Sequence, residues 1–190
     1  MKRSLVSLRE AVPSDVELLV ALWGDVLRRA EPDEQASDVR SVLARVAASD
    51  VERIVVAEYD GRPAGAVYLR ATSVTPLNLE PVLQAVSPHV LPEFRRHGVG
   101  RALMEASVAF AEELGIAHMA TGVTAGARDA NRFMARLALG PHVLLRVAPV
   151  PTVKARLSIQ RGGVPRTSGR QLPQVLAARR SLRRSQPTPG

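Results

Sequence analysis

The residues best suited to chemistry lie in one segment, where basic residues and glycines follow an apolar stretch. A helix is predicted to begin at Gly98, and the first turn of a helix offers unpaired N–H groups and the positive end of the helix dipole. Glycines also let a ligand approach the backbone closely. The segment therefore predicts a cradle for phosphate groups, to which Arg95, Arg96 and Arg101 would add charge-assisted hydrogen bonds. It reads His89-Val90-Leu91-Pro92-Glu93-Phe94-Arg95-Arg96-His97-Gly98-Val99-Gly100-Arg101.

Two other phosphate-binding loops do not fit this segment. A P-loop has Lys and then Ser or Thr after its last glycine, whereas Arg101-Ala102 follow Gly100 here. A dinucleotide-binding loop has a third glycine, where this chain has Leu103, and an acidic residue after the next strand, where it reads Thr121-Gly122-Val123-Thr124. The remaining alternative to a phosphate cradle is a helix start whose glycines serve packing alone.

The rest of the sequence predicts the strands and helices that must position this segment. Apolar residues alternate or run together in the predicted strands and recur at helical spacing in the predicted helices. The order is typical of an α/β protein with a mixed, partly parallel central sheet flanked by helices. The predicted elements are strand 4–9, a helix from an N-cap at Ser14 or Asp15 to Leu27, a helix around 39–46, a hairpin of strands 53–59 and 64–70, a loop 72–80, strand 82–90, helix 98–114, strand 117–123, helix 128–137 and strand 142–147.

The composition bounds the class of protein. The chain has 190 residues, enough for one domain of ordinary size with some excess. It has no cysteine, which excludes disulfides, thiolate metal ligands and a cysteine nucleophile. Its four histidines are scattered without a spaced carboxylate, so no metal site is predicted. No stretch approaches the roughly 18 apolar residues of a membrane span, and we expect a soluble, cytoplasmic protein that does not bind membranes.

Charge divides the chain into two parts. The formal net charge is +8, but residues 151–190 hold nine basic residues and no acidic one, whereas residues 1–150 hold 17 basic and 18 acidic residues. We predict a domain over residues 1–149 and a basic, Pro/Gly/Arg-rich extension over residues 150–190, flexible except where a short helix could form over 171–185. This extension could bind nucleic acid or an acidic partner, but no aromatic residues interleave with its arginines, which favours a solvated charge run.

The pattern Arg95-x-x-Gly98-x-Gly100 resembles the acetyl-CoA-binding motif of the GNAT superfamily of N-acetyltransferases, whose consensus is (Q/R)-x-x-G-x-(G/A). The element order over most of residues 4–149 is similar to that fold. The resemblance implies that acetyl-CoA is the cosubstrate, that a splayed sheet lets the backbone of Val90 and Leu91 bond the pantetheine arm like an added strand, and that Asn131 touches the cofactor. It assigns the pyrophosphate to Arg95, Arg96, His97, Gly98, Val99, Gly100 and Arg101.

The chain departs from the family pattern at two positions that matter for catalysis. The family tyrosine that protonates the departing thiolate falls on Met134, and the only tyrosines, Tyr59 and Tyr68, lie on the predicted hairpin. The glutamate that acts as base in histone-acetylating members falls on Gln84, which cannot accept the proton. These departures leave the general acid and the general base unassigned by the motif.

Two residues are candidates for the general base by their position on the predicted strand 82–90. An alkylammonium has a pKa of about 10, so at neutral pH the attacking amine must lose a proton. Glu80, which enters the strand, and His89, near its cofactor end, could accept that proton. The alternatives are a solvated loop acid for Glu80 and a structural histidine for His89. His97 is expected to face phosphate or solvent.

The leading hypothesis is an acetyl-CoA-dependent N-acetyltransferase that acts by direct attack on a primary amine of a small molecule or protein. Its partners would be acetyl-CoA and that amine, and the chain would be a monomer or homodimer. The acceptor site is expected between the first two helices and the loop 72–80, near Trp23, Leu77, Asn78 and Glu80. One alternative is an acetyl-CoA sensor with weak or no catalysis, which Met134 and Gln84 suggest. The other is binding of nucleic acid or an acidic partner through the basic extension.

Overall fold

The computed structural model describes residues 5–123, 126–142 and 145–162. Short turns of 3-10 helix lie at Pro13–Asp15 and Pro92–Phe94. The chain forms two compact units, Met1–Gly140 and Pro141–Gly190. The strands are β1 (Val6–Glu10), β2 (Glu52–Tyr59), β3 (Arg62–Thr75), β4 (Asn78–Val90) and β5 (His118–Thr121), and the helices are α1 (Val16–Trp23), α2 (Pro32–Ala47), α3 (Val99–Glu113), α4 (Arg128–Arg136) and α5 (Val150–Gly162).

The strands form one sheet in the order β1-β2-β3-β4-β5. Neighbouring strands from β1 to β4 are antiparallel to one another, and β5 runs parallel to β4. A parallel neighbour requires a crossover between the two strands, and α3 lies in that crossover. The prediction of a mixed α/β sheet flanked by helices is confirmed.

Each face of the sheet is covered by its own helices. α3 packs against one face through a cluster that includes Leu69, Leu83 and Phe110. α1 and α2 pack against the other face through a cluster that includes Leu19 and Val39. The continuous apolar run Ile54-Val55-Val56-Ala57 in β2 contributes alternate residues to the two clusters, as expected for a strand buried on both sides.

A close approach between β3 and β4 explains why Gly65 is a glycine. A Cβ atom at this position would lie 2.5 Å from the carbonyl oxygen of His89 and 3.3 Å from a methyl group of Val99. No side chain fits there without moving backbone. The absence of a side chain therefore lets the end of β4 and the start of α3 pack tightly over β3.

The buried carboxylate of Asp15 ties the start of the first helical segment to the sheet. Arg9 of β1 donates to both oxygens of Asp15, at 2.7 and 2.8 Å, and the Val12 N–H donates to one of them at 2.8 Å. The hydrogen bonds from Arg9 hold the pKa of Asp15 below its ordinary value. Asp15 is the N-cap of α1 by position, but its side chain makes no capping bond, because it serves Arg9 and Val12 instead.

Residues 72–80 do not form the predicted loop. β3 runs on to Thr75 and β4 starts at Asn78, so only Pro76 and Leu77 connect the two strands. The hydroxyl of Thr75 accepts hydrogen bonds from the N–H groups of Leu77 and Asn78, which closes the turn. The sequence prediction treated these polar residues as loop, whereas Thr and Val in this stretch are good strand formers.

The predicted strand over 142–147 is also wrong for the residues that the structure describes there. His142 and residues 145–147 have no regular structure, and Leu145 and Val147 are 83% and 85% exposed. Apolar alternation forms a strand only where a neighbouring strand can pair with it, and in the described part of the chain none does. A helix, α5, follows in a region where the composition predicted a linker. The predicted helix over 171–185 lies outside the described residues.

Candidate functional site

The start of α3 has the geometry of a phosphate cradle. Gly98 is the N-cap residue with a φ of 87°, and Arg96 before it has a φ of 64°, so the loop enters the helix through a left-handed bend. The Ala102 N–H bonds to the Gly98 carbonyl at 3.0 Å. The preceding N–H groups, of Val99, Gly100 and Arg101, therefore have no partner within the helix. A Cβ atom at Gly98 would meet nothing within 4 Å, which shows that the space beside these donors is open.

The loop before α3 is anchored by an aromatic side chain. Phe94 is buried, and its ring centroid lies 5.9 Å from that of Tyr59 on β2. The guanidinium of Arg62 lies 5.1 Å from the centre of the Phe94 ring. His97 is held between its own loop and Tyr59, with Nδ1 2.8 Å from the Arg95 carbonyl and the two rings 4.8 Å apart. These contacts fix the cradle to the end of the hairpin that β2 and β3 form.

The predicted cradle residues differ in what they can offer a ligand. Arg95 and Arg96 are exposed, so their guanidinium groups are accessible. Arg101 is exposed too, but its Nε donates to Glu105 at 2.7 Å, which raises the pKa of Arg101 above its ordinary value. The side chain of Val99 is only 1% exposed and packs in the core. Val99 can therefore contribute only its backbone.

The sheet opens beside the cradle. β4 and β5 pair from Val82 and His118 to Ala85 and Thr121, after which β5 ends while β4 continues to Val90. The hydroxyl of Thr121 donates to the Ala85 carbonyl at 2.8 Å and closes the ladder. The last part of β4 thus has β3 on one side and no strand among the described residues on the other. The splayed sheet that the resemblance implied is present.

The backbone of Val90 faces this open edge. The Leu91 N–H donates to the Ala64 carbonyl at 2.9 Å, so residue 91 is bonded to β3. Successive residues of a strand direct their backbone groups to opposite edges, which places the N–H and C=O of Val90 on the open side. A Cβ atom on Gly100 would lie 3.7 Å from the Val90 side chain. The open strand edge and the start of α3 are therefore adjacent.

A β-bulge places His89 on the face of the sheet that α1 covers. Ala66 pairs with His89 and Tyr68 with Val86, so β4 has one residue more than β3 in this stretch, and Ser87 has a φ of 46°. The indole N–H of Trp23 in α1 donates to the Ser87 carbonyl at 2.9 Å and fixes the bulge.

His89 is half-buried beside this bulge. Its Nδ1 lies 3.4 Å from the Ser87 carbonyl oxygen, and its Nε2 lies 3.7 Å from a carboxylate oxygen of Asp25. Asp25 is a residue that the sequence prediction missed, because 64 positions separate it from His89 and no local pattern marks it. The structure thus gives this imidazole an acceptor at each nitrogen.

Glu80, the second candidate base, lies elsewhere. It is exposed, and its carboxylate pairs with His118 at 3.2 Å. At roughly 3.3 Å per residue, Glu80 is about 16 Å along β4 from Ala85, where the strands part. The structure therefore brings His89 to the opening in the sheet and does not bring Glu80 there.

Of the two residues that depart from the family pattern, Gln84 lies beside the opening in the sheet. Gln84 is half-buried and pairs with Arg70 on β3 and with Ala120 on β5. It comes one position before Ala85, the last residue of β4 that pairs with β5. Met134 on α4 is 6% exposed and carries no hydroxyl. Asn131 on the same helix is exposed, and its amide donates to the Ala127 carbonyl at 2.9 Å. α4 lies close to the cradle, since a Cβ on Gly100 would be 3.9 Å from the Phe133 ring.

The sequence prediction also missed a polar cluster on the sheet face that carries α2. The Tyr68 hydroxyl donates to Glu52 at 2.8 Å, and Arg45 donates to Glu52 at 3.0 Å and to the Tyr68 oxygen at 2.9 Å. Burial and the neighbouring Glu52 raise the pKa of Tyr68. Burial alone would raise the pKa of Glu52, but the hydrogen bonds from Tyr68 and Arg45 lower it below its ordinary value. Alternation along β3 could have placed Tyr68 on this face.

The part of the chain that the structure describes contains neither a metal-binding cluster nor a helix that could span a membrane. Within residues 5–123, 126–142 and 145–162, no group of three or more His, Asp or Glu side chains could hold a metal ion. None of the helices described over the same residues is long and apolar enough to cross a membrane.

The fold has counterparts in known proteins. Residues 18–139 match the family model described as the acetyltransferase (GNAT) family. No curated protein sequence matches the chain significantly. Among solved structures, the chain is similar to a transcriptional regulator from Bacillus halodurans C-125, with 22% identity, a TM-score of 0.62 and coverage of 76% of this chain and 99% of that one.

Two further solved structures carry the names of acetyltransferases. Aminoglycoside N-acetyltransferase AAC(6')-Iy in complex with CoA has 19% identity and a TM-score of 0.63, over 78% of this chain and 97% of that one. Glucosamine-6-phosphate N-acetyltransferase from Arabidopsis thaliana has 16% identity and a TM-score of 0.58, over 76% and 98%. At these identities the likeness concerns the fold. Because the family model itself spans well over half of the 190 residues, the chain belongs to the GNAT family of acetyltransferases.

Proposed function

We propose that this protein transfers the acetyl group of acetyl-CoA to a primary amine by direct attack of the amine on the thioester. The observation that carries the proposal is that the free backbone of Val90 is adjacent to the unpaired N–H groups at the start of α3. The strand edge suits an extended amide chain and the helix start a diphosphate. The names of two structural neighbours, one solved with CoA, support it.

The residues of the cradle and of β4 would hold acetyl-CoA in an extended form. The N–H groups of Val99, Gly100 and Arg101 would bond the pyrophosphate, and the exposed guanidinium groups of Arg95 and Arg96 would neutralise its charge. The N–H and C=O of Val90 would pair with the pantetheine amides as a neighbouring strand does. This arrangement directs the thioester along β4 toward the bulge at Ser87. Asn131 and His97 would border the bound cofactor.

His89 is the residue that we propose as the general base. Bound acetyl-CoA supplies an activated acyl group on a thiol that leaves readily, since thiols ionise near pH 8.5. His89 would take a proton from the substrate ammonium, and the freed amine would form the new C–N bond as the C–S bond breaks. The Ser87 carbonyl oxygen lies 3.4 Å from Nδ1 of this imidazole, and a carboxylate oxygen of Asp25 lies 3.7 Å from its Nε2. The newly acylated nitrogen then releases its surplus proton to solvent, and the thiolate takes a proton from solvent, since Met134 has none to give.

An acetyl-CoA sensor without transfer is the second candidate function. Two observations favour it: Met134 is buried and apolar where the family has a tyrosine, and Gln84 stands beside the opening in the sheet in place of a carboxylate. In such a sensor the cradle would bind acetyl-CoA and no acceptor would be consumed.

Two measurements test these proposals. Calorimetry with coenzyme A should show one site per chain, and the absence of binding would refute both candidate functions. Isotope-labelled acetyl-CoA, incubated with a panel of primary amines, should yield labelled amides whose formation depends on the protein. Binding without label transfer to any amine, above the rate in solution, would support the sensor and refute the transferase.

A further inference from the structure

Arg70 lies on the face of the sheet that α1 and α2 cover. It pairs across the ladders with Glu52 on β2 and with Gln84 on β4. Tyr68 and Ala66, two and four residues earlier on β3, pack against the cluster formed by α1 and α2. Since side chains alternate along a strand, the guanidinium of Arg70 emerges on this face as well, beyond the part that the helices bury. Arg70 is half-buried there.

The carboxylate nearest in the ladder is already engaged by other groups. One oxygen of Glu52 accepts from Arg45 at 3.0 Å, and the other accepts from the Tyr68 hydroxyl at 2.8 Å. Arg70 itself makes one long contact, from Nη2 to the Thr72 hydroxyl oxygen at 3.4 Å. Over the residues that the structure describes, no carboxylate lies within ion-pair distance of Arg70.

The charge of Arg70 acts on Glu52 only through space, where it helps to lower the pKa of that carboxylate. A half-buried guanidinium that no carboxylate contacts directly is a costly feature unless an anion binds to it. Partial removal from water penalises the charge, and the Thr72 hydroxyl is too distant to compensate for that. The planar fork of N–H donors of an arginine matches the oxygens of a carboxylate or phosphate and forms two parallel hydrogen bonds with them. Arg70 is therefore suited to an anionic oxygen group that is not part of the described chain.

The position of Arg70 relates this anion to the acceptor amine. Opposite residues of an antiparallel pair have Cβ atoms about 4.5–5.5 Å apart, so Arg70 adjoins Gln84. Gln84 comes one residue before Ala85, where β4 and β5 part, and three residues before the bulge at Ser87. The guanidinium therefore lies on the same face as His89, one strand away from the opening through which the thioester would reach the acceptor.

We propose that the acceptor is a small primary amine that also carries an anionic oxygen group, a carboxylate or a phosphate, which Arg70 binds. This inference rests on the proposed transferase function and adds the substrate class. Arg70 would determine specificity: it holds the acceptor so that the amine points toward His89 and the opening. An amine that lacks the anionic group would leave Arg70 without its partner and bind more weakly.

The test compares amines that differ in the anionic group. 4-Aminobutyrate and its carboxamide form the carboxylate pair, and glucosamine 6-phosphate and glucosamine form the phosphate pair. For each amine, kcat/KM for labelled acetyl transfer and the calorimetric Kd in the presence of coenzyme A are measured. The same is done for Arg70→Gln and Arg70→Lys. Arg40→Gln, which removes an exposed charge on α2, controls for net charge.

We expect at least one anionic amine to exceed its neutral counterpart in kcat/KM and in affinity by about tenfold to a hundredfold, as charge-assisted bonds allow. Arg70→Gln should abolish that preference, Arg70→Lys should keep part of it, and Arg40→Gln should keep all of it. A preference in one pair alone identifies the anion as carboxylate or phosphate.

The proposal is overturned if neither anionic amine is preferred in rate or in binding, or if Arg70→Gln leaves the preference intact. The proposed function fails separately, through the absence of coenzyme A binding or of any label transfer. Transfer to neutral amines alone would support the proposed transferase function and refute the proposed role of Arg70. Because the neutral amine reports the activity of each variant, a folding defect in Arg70→Gln would lower both members of a pair equally and could not imitate a loss of preference.

Discussion

Replacing Gly98 by alanine should weaken coenzyme A binding much more than the same change at Gly115, at the other end of α3. Both glycines have a positive φ, 87° and 66°, and an added Cβ meets nothing within 4 Å at either position. The two substitutions therefore impose the same kind of backbone strain. They differ in location, because only Gly98 adjoins the unpaired N–H groups of Val99, Gly100 and Arg101.

The expected magnitudes follow from this geometry. A non-glycine residue in the left-handed region costs about 1–2 kcal/mol, so both variants should lose about that much free energy of unfolding and still fold. At Gly98 the new methyl group also enters the space beside the helix start and moves the pyrophosphate off its donors. Loss of one charge-assisted hydrogen bond costs about 1.5–3 kcal/mol, which raises the Kd of coenzyme A by about 10- to 150-fold.

Urea unfolding and calorimetry with coenzyme A separate the two effects. Gly98→Ala and Gly115→Ala should unfold at similar urea concentrations, both below that of the unaltered protein. Only Gly98→Ala should bind coenzyme A more weakly. If the Kd of Gly98→Ala stays within about twofold of the Kd of Gly115→Ala, the start of α3 does not hold the diphosphate and the reasoning about the cradle is wrong.

Three further substitutions test other contacts. Gly65→Ala places a Cβ 2.5 Å from the His89 carbonyl, so it should cost about 1–3 kcal/mol in urea unfolding, and an unchanged midpoint would show that β4 can move away. His89→Gln should lower the rate of acetyl transfer by about 10²- to 10⁴-fold and leave coenzyme A affinity unchanged, whereas an equal rate would place the base elsewhere. The lowered pKa of Asp15 means that its ionised form stabilises the fold above the ordinary pKa of 3.8 and that this contribution disappears as the pH falls through the folded value. Asp15→Asn should therefore be less stable at pH 7 by about 1–3 kcal/mol, and the difference should shrink in acid unfolding below pH 4; a constant difference would contradict the ion pair with Arg9.

The parts of the fold that the sequence predicts well are those encoded within a few residues. Two of these local patterns are the apolar run in β2 and the helical spacing of Val99, Leu103 and Phe110 in α3. A third is Gly98, at which α3 begins. The strand and the helix form as expected. The short turn at Pro76-Leu77 was predicted as a longer loop over residues 72–80, although its signal is local as well. It depends on the Thr75 hydroxyl, a side-chain bond that hydrophobic patterns do not report.

The parts of the site that could not be predicted depend on residues far apart in the chain. Asp25 meets His89 only because α1 packs over β4, and Trp23 meets Ser87 for the same reason. Arg70 is one charged residue among many in the sequence. Its lack of a carboxylate partner within the described residues becomes visible only when the sheet register is known.

The bulge at Ser87 adds one residue to β4 and so reverses which face or edge each later residue of the strand points to. Counted without the extra residue, His89 would point toward α3 and the backbone of Val90 would turn toward β3. The imidazole would then leave this face of the sheet, and the open edge would present the backbone of His89 in place of that of Val90. One inserted residue thus couples the position of the proposed base to the surface proposed for the cofactor, so evolution of this strand by single insertions or deletions would change both at once.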